Sequence, residues 1–312
     1  MRGSGSKRFQ PYKSDDFWLL SVGVVMQSDH ETITNEWTNV IRPRSGWFDI
    51  HLFELWRYRD LIALFVRRDF VAVYKQTILG PVWFLLQPLF STLVFTIIFG
   101  KIAHIPTDGV PEVLFYMSGI VVWNYFAACL TKTSDTFVAN AGIFGKVYFP
   151  RLTVPISIVI TNLITFCIQF GLFLLFIGFF YFKGAPIKPN IVMLIMPLLL
   201  LQMAALGLGF GILISSLTTK YRDLAFVIGF GTQLWMYATP IVYPVSQVPA
   251  RWQWLFMLNP MASVIEVFRY AFLGAGTFYL DRIIVSVIVT LVILTLGIIS
   301  FSRVEKIFMD TV

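Results

Sequence analysis

Charge is what this sequence has least of: 13% of its 312 residues are Asp, Glu, Lys or Arg, against about 25% in soluble domains. Apolar residues make up 57%, and the mean hydropathy is +0.75. Three stretches, 152–182, 189–219 and 224–250, contain no charged residue at all. Such runs exclude an ordinary soluble enzyme and a disordered chain, and make lipid the natural solvent. Cysteine is nearly absent too. Cys129 and Cys167 lie inside apolar runs, where they read as small hydrophobes, so neither a secreted disulfide scaffold nor a thiolate metal site is supported. Histidine is as scarce: His30, His51 and His104 fall outside the expected spans, and no carboxylate sits in the middle of one. This disfavours a proton- or sodium-coupled carrier, which places an ionisable group inside its bundle. The Walker A pattern G-x-x-x-x-G-K-[ST] is missing as well, because Gly145-Lys146 is followed by Val147 and position 140 is Asn. Any ATP-driven work would need its motor on a separate subunit.

What is present begins with a basic surplus, 24 Lys+Arg against 17 Asp+Glu. Eleven of the basic residues precede residue 81 and most others sit in short loops, a pattern of membrane topology rather than of phosphate binding. Residues 1–6, Met-Arg-Gly-Ser-Gly-Ser, read as a leader of the kind added for expression, with no signal peptide after it. Residues 7–50 are mixed in composition and expected to form a water-exposed, cytoplasmic N-terminal extension, with an alternating stretch at 32–41 hinting at one strand. Residues 51–78 carry a helical period. On its wheel Leu55, Trp56, Ile62, Ala63, Val66, Phe70, Val73 and Tyr74 share one arc, opposite Arg57, Asp60, Arg67, Arg68 and Lys75. This is the pattern of an amphipathic helix lying along a membrane surface, or of a soluble core helix.

A spanning helix needs about 20 mostly apolar residues. Six segments qualify: 81–102, 112–131, 152–182, 190–217, 224–243 and 283–302. The fold class is therefore an all-α polytopic membrane protein with a six-helix transmembrane domain over 79–302 and a cytoplasmic tail, 303–312. With the N-terminus inside, inner segments hold 18 Lys and Arg and outer segments 6, which places both termini in the cytoplasm. The outer region 244–281 is apolar for a loop, with Trp252, Trp254, Leu255, Phe256 and Met257 before Asn259-Pro260. It is expected to dip back into the membrane as short re-entrant helices.

The inner loop 133–151 is too apolar for a solvated linker and too short for a domain. It reads either as a docking helix that inserts Ile143, Phe144 and Val147 into another protein's cleft, or as a loop lying on the membrane. Trp83, Tyr116, Trp123, Tyr125, Trp235 and Tyr237 combine an aromatic face with a polar tip. Singly each suits an interfacial anchor; together they suit a path for sugar rings, whose faces are partly apolar and whose hydroxyls need partners. Gln87, Asn124, Gln169, Gln202 and Gln233 either line that path or hold helices together. Gly207-x-x-x-Gly211, with Gly209 between, allows close helix packing or a hinge, and Pro88 and Pro240 are expected to kink their spans.

The blocks 55–62 (LWRYRDLI), Arg68-Asp69, 74–77 (YKQT), 79–83 (LGPVW) and Pro88 open a recognisable series. It continues through 146–152 (KVYFPRL) with Pro155, 221–223 (YRD), 239–244 (TPIVYP) and 259–261 (NPM) with Arg269. In this order, over about 50–312, the chain resembles the ABC-2 type permeases that export O-antigen, capsule or teichoic acid. Residues 7–50 exceed the usual N-terminus of that family. The resemblance implies a half-transporter pairing with a second copy and binding two cytoplasmic ABC ATPase subunits, in the cytoplasmic (inner) membrane. It implies no catalysis and no cofactor in this chain, ATP and Mg belonging to the partner subunit. It also assigns ATPase docking to Phe137, Ile143, Phe144, Lys146, Val147 and Tyr148, with Arg57, Arg59 and Asp60 of the interface helix beside them. The path of a lipid-linked polysaccharide is then assigned to Trp83, Gln87, Tyr116, Trp123, Tyr125, Trp235 and Tyr237. Two rivals remain at this point: an ABC-2 permease for drugs or small lipids, and a polytopic glycan polymerase or ligase. The second would have to draw on Glu266, Arg269, Asp281 and Arg282, of which Glu266 and Arg269 are expected to pair on one helix face.

Overall fold

The computed structural model describes residues 52–75, 79–147, 149–219, 221 and 223–311. The expected leader, N-terminal extension and strand at 32–41 lie outside them, as does Tyr148. All regular structure among the described residues is helical. The expected amphipathic helix is two: α1 (Leu52–Arg57) and α2 (Arg59–Lys75), broken at Tyr58. Leu55, Tyr58, Leu61, Ile62 and Phe65 turn toward the protein, whereas Trp56 and Ala63, placed on the same arc from sequence, are exposed. The inward residues keep helical spacing across Tyr58, so the buried arc is rotated from the expected one, and Trp56 and Ala63 at its edge fall outside it.

Among the described residues five helical segments are long and apolar enough to cross a membrane: Gly80–Ile102, Glu112–Ser134, Thr153–Phe182, Ile191–Thr218 and Leu280–Glu305. Their main helices are α3 (Trp83–Phe95), α4 (Glu112–Ser134), α7 (Thr153–Phe182), α8 (Met196–Thr218) and α12 (Leu280–Thr311). Short helical turns α5 (Thr136–Ala139) and α6 (Ala141–Phe144) fill the inner loop. The segment expected to span 224–243 is shorter. Helix α9 (Leu224–Ala238) stops where Pro240 forces the preceding residue out of the helical region, with Thr239 extended at φ −101° and ψ 144°. Pro240 thus ends the helix rather than kinking it. At the other end of the chain, α12 runs through the expected tail as helix as far as Thr311.

Helix α4 is the hub, packed against α3, α7, α8, α9 and the later helix α11 (Pro260–Leu273). Along α8, Gly207 and Gly211 face α4 while Gly209 faces α12. A Cβ on Gly207 would meet Cys129, one on Gly211 would meet Thr133, and one on Gly209 would lie 2.8 Å from the Cα of Leu294. One small-residue stripe therefore serves two helix contacts at once. Beyond α9, α10 (Gln253–Leu258) leads into α11 (Pro260–Leu273), which is buried at every position but Tyr270 and packs on α4, α8 and α12. Asn259 starts α11. Its Oδ1 accepts from the Met261 backbone N–H at 3.1 Å and from Trp235 Nε1 at 3.2 Å, and its Nδ2 donates to Thr239 Oγ1 at 3.0 Å. One side chain thus caps α11 and ties it to the end of α9.

Candidate functional site

An open cleft of about 510 Å³ lies between α3, α4, α7 and α9. Its polarity comes from stripes at helical spacing. On α7, Asn162, Thr165 and Gln169 recur three and four residues apart; on α4, Asn124 and Thr131 stand seven apart, with Lys132 following Thr131; α9 adds Thr232 and Gln233, and α3 adds Gln87. Trp123, Tyr125, Phe84 and Phe166 supply aromatic surface. Lys132 Nζ donates to Asn162 Oδ1 at 3.0 Å, and Asn162 Nδ2 donates to the Ile158 carbonyl at 2.9 Å, so the amide is fixed from both ends. Gln169 Nε2 donates to the Phe84 carbonyl at 3.3 Å, bridging α7 and α3. The hydroxyls of Thr131 and Thr232 donate to their own helices, at Ala127 and Ile228, and so present lone pairs. Asn124 Nδ2 is buried with no hydrogen-bond partner among the described residues.

The residues expected along a sugar path divide. Gln87, Trp123 and Tyr125 line the cleft, with Asn124, Gln169 and Gln233. Tyr116 does not: it is fully buried, edge-on to Phe95 and Phe115 in the main core. Trp235 packs behind the cleft on Trp123, Phe126 and Phe210. Trp83 and Tyr237 are exposed near the ends of α3 and α9 and are not among the lining residues. Gln202 donates to Ser286 Oγ and joins α8 to α12, a packing role. The polar cleft residues that sequence reading did not single out include Lys132, Asn162, Thr165 and Thr232. The polar period of Asn162, Thr165 and Gln169 was the available signal.

The loop after α4 faces two ways. Phe137 and Phe144 are buried in a second core with Phe65, Phe149, Val154, Ile212 and Phe301, and Ile143 packs partly against it. The Phe137 and Phe301 rings stack at 4.5 Å. Phe144 therefore points inward, contrary to the expectation that it inserts into a partner. The outward surface is Val138, Lys146 and Val147, the last 59% exposed. Arg57, Arg59 and Asp60 are also exposed, with Arg59 Nε 3.9 Å from Asp60. At the loop's end, the Arg151 backbone N–H donates to Glu305 Oε1 at 3.3 Å and its Nη1 to the Glu305 carbonyl at 3.2 Å, fastening the loop to α12.

Glu266 and Arg269 do not hydrogen-bond each other; each has its own partners. Glu266 accepts from the backbone N–H and the hydroxyl of Thr277, both at 3.2 Å. Arg269, fully buried, donates to the carbonyls of Pro240 (2.6 Å), Ile241 (2.7 Å) and Phe115 (3.3 Å) and to Ser118 Oγ (3.2 Å), with its guanidinium 3.7 Å from the Phe115 ring centroid. These are bonds that hold a structure together, not an acid and base facing a substrate. Among the described residues no cluster of three or more His, Cys, Asp or Glu has the makings of a metal site.

Long apolar helices around a polar internal cleft define a multi-pass membrane protein of the transport class. Residues 60–273 match the ABC-2 type transporter family, and the chain belongs to it. Among curated relatives it is 26% identical to the O-antigen export system permease protein RfbA of Klebsiella pneumoniae, over 80% of this chain and 94% of that protein. It is 27% identical to the RfbA permease of Myxococcus xanthus over 70% and 82% of the two chains. With the polysialic acid transport protein KpsM of Escherichia coli the identity is 23%, over 67% and 79%.

Proposed function

We propose that this chain is the membrane subunit of an ATP-driven exporter that passes a lipid-linked polysaccharide across the cytoplasmic membrane, with both termini in the cytoplasm. The observation that carries this reading is the cleft. It combines amides, hydroxyls that offer lone pairs, and the faces of Trp123 and Tyr125, the chemistry that a sugar's hydroxyls and apolar ring faces require. The names of the relatives point the same way, to O-antigen and polysialic acid. The chain works as one of two copies, each bound to a cytoplasmic ATPase that holds ATP and Mg. The ATPase docks on Val138, Lys146 and Val147, with Arg57, Arg59 and Asp60 nearby. Because Phe137 and Phe144 root the same loop in a core shared with α2, α8 and α12, a push on the outer side moves helices rather than a floppy linker.

The test is restoration of surface glycan in a cell lacking its own exporter, with the partner ATPase supplied. Wild type restores it. Val147→Glu abolishes restoration while the chain stays in the membrane, since a carboxylate then sits on an apolar docking surface. The double variant Gln87→Leu/Gln233→Leu lowers it several-fold. Glycan retained inside by cells carrying the wild-type pair would sink the reading.

A further inference from the structure

Lys132 lies two residues before the end of α4. A lysine so close to a helix end ordinarily extends along the helix toward water. This one turns across to α7 and gives a proton to Asn162 Oδ1. Asn162 is neutral and its own amide is committed to Ile158, so it orients the ammonium without cancelling its charge. Among the described residues lining the cleft Lys132 is the only charged one; no Asp or Glu joins it. The carboxylate that acts on it from outside, Asp69 of α2, is held by Arg68 Nε at 2.8 Å. The cleft therefore carries a net positive charge at its Lys132 end. An ammonium has two further N–H groups to give, and an anion that reaches it gains a charge-assisted hydrogen bond.

From this geometry we infer that Lys132 and Asn162 form a binding site for the phosphoryl group of a lipid phosphate, the link between an exported glycan and its lipid carrier. The inference rests on the proposed function for the identity of the carrier. Its position fits: the site lies at the end of α4 that runs into the docking loop, the side from which a cytoplasmically made lipid-linked cargo enters. The cleft is open rather than enclosed, so a carrier can keep its lipid chain in the bilayer while its head reaches the lysine. A compact ammonium suits a phosphoryl group that must also leave, because it binds as a point charge and not through the two-pronged grip of an arginine.

The test uses the full-length chain in nanodiscs of neutral lipid, with three probes: undecaprenyl phosphate, undecaprenol and inorganic phosphate. Wild type is expected to bind the lipid phosphate at least tenfold more tightly than the alcohol, with inorganic phosphate weak. Lys132→Gln keeps a donor for Asn162 and is expected to lose the discrimination; Lys132→Arg is expected to keep most of it. Equal binding of phosphate and alcohol by wild type, or unchanged discrimination in Lys132→Gln, overturns the site. Inorganic phosphate binding as tightly as the lipid phosphate makes it a free-anion site and overturns the carrier assignment. So does Lys132-dependent binding of a soluble acidic oligosaccharide in place of the lipid phosphate. Surface glycan in cells separates the two readings. Export by wild type with an unaffected Lys132→Gln removes the phosphate site and leaves the exporter standing, whereas no export by wild type removes the exporter.

Discussion

At the scale of single residues, Arg269 carries the heaviest structural load. Two of its bonds go to the carbonyls of Pro240 and Ile241, which have left the helical ladder just after α9. Without the guanidinium those acceptors are unpaired and buried, each at a cost of about 1–3 kcal/mol. Arg269→Met is therefore expected to lower stability by about 2–6 kcal/mol, and Arg269→Lys to recover only part of that, because three N–H donors on one point cannot reach all the partners of a planar fork. Melting of the purified chain in detergent checks this; an unchanged midpoint for Arg269→Met would contradict the role. The sequence showed Arg269 and Glu266 one helical turn apart and suggested that they pair. What it could not show is that an unwound segment 28 residues away supplies carbonyls that need the cation more. Lys132 was hidden for a similar reason, since its partner Asn162 lies on another helix.

Elements were easier to read than partners. Five of the six expected spans coincide with long apolar helices to within a few residues, because hydropathy over about 20 residues reports directly on lipid burial. Faces were harder. The inner loop is two four-residue turns joined at Asn140, so its apolar residues alternate between the core and the outside in a way no single helical wheel predicts. The small-residue stripe on α8 was visible, but not that it is divided between two neighbours. That division gives a clean test. Gly209→Ala places a methyl against the α12 backbone, 2.8 Å from Leu294 Cα, and is expected to cost about 1–3 kcal/mol by forcing α8 and α12 apart. Gly178→Ala, on α7, meets nothing within 4 Å and is expected to be neutral or slightly stabilising. If thermal melting treats the two substitutions alike, the close approach of α8 and α12 is not what holds that face.

For the molecule as a whole, the short sixth element decides the topology. Fifteen residues of α9 rise about 22 Å, some 8 Å less than the hydrocarbon core. If α9 does not cross, the chain makes five crossings and its ends lie on opposite sides; if it does, both ends share the cytoplasmic side, as the excess of Lys and Arg in the inner segments demands. Residues 239–243 reconcile the helix with the crossing. A few non-helical residues easily cover the missing distance. Exposed backbone at that depth is tolerated only where protein satisfies it, which is what Arg269 does for the Pro240 and Ile241 carbonyls and the Thr239 hydroxyl for that of Trp235. The expected outcome is six crossings. In a background with Cys167→Ala, an impermeant maleimide should label Lys183→Cys and Arg251→Cys on intact spheroplasts, and Asp60→Cys and Arg303→Cys only after permeabilisation. Labelling of Arg303→Cys from outside would mean that α9 turns back within the bilayer. The docking loop and the far end of α12, which Arg151 and Glu305 bind together, would then have to lie on one side of a membrane that separates them. The contact between those two residues therefore favours the crossing independently of the charge count.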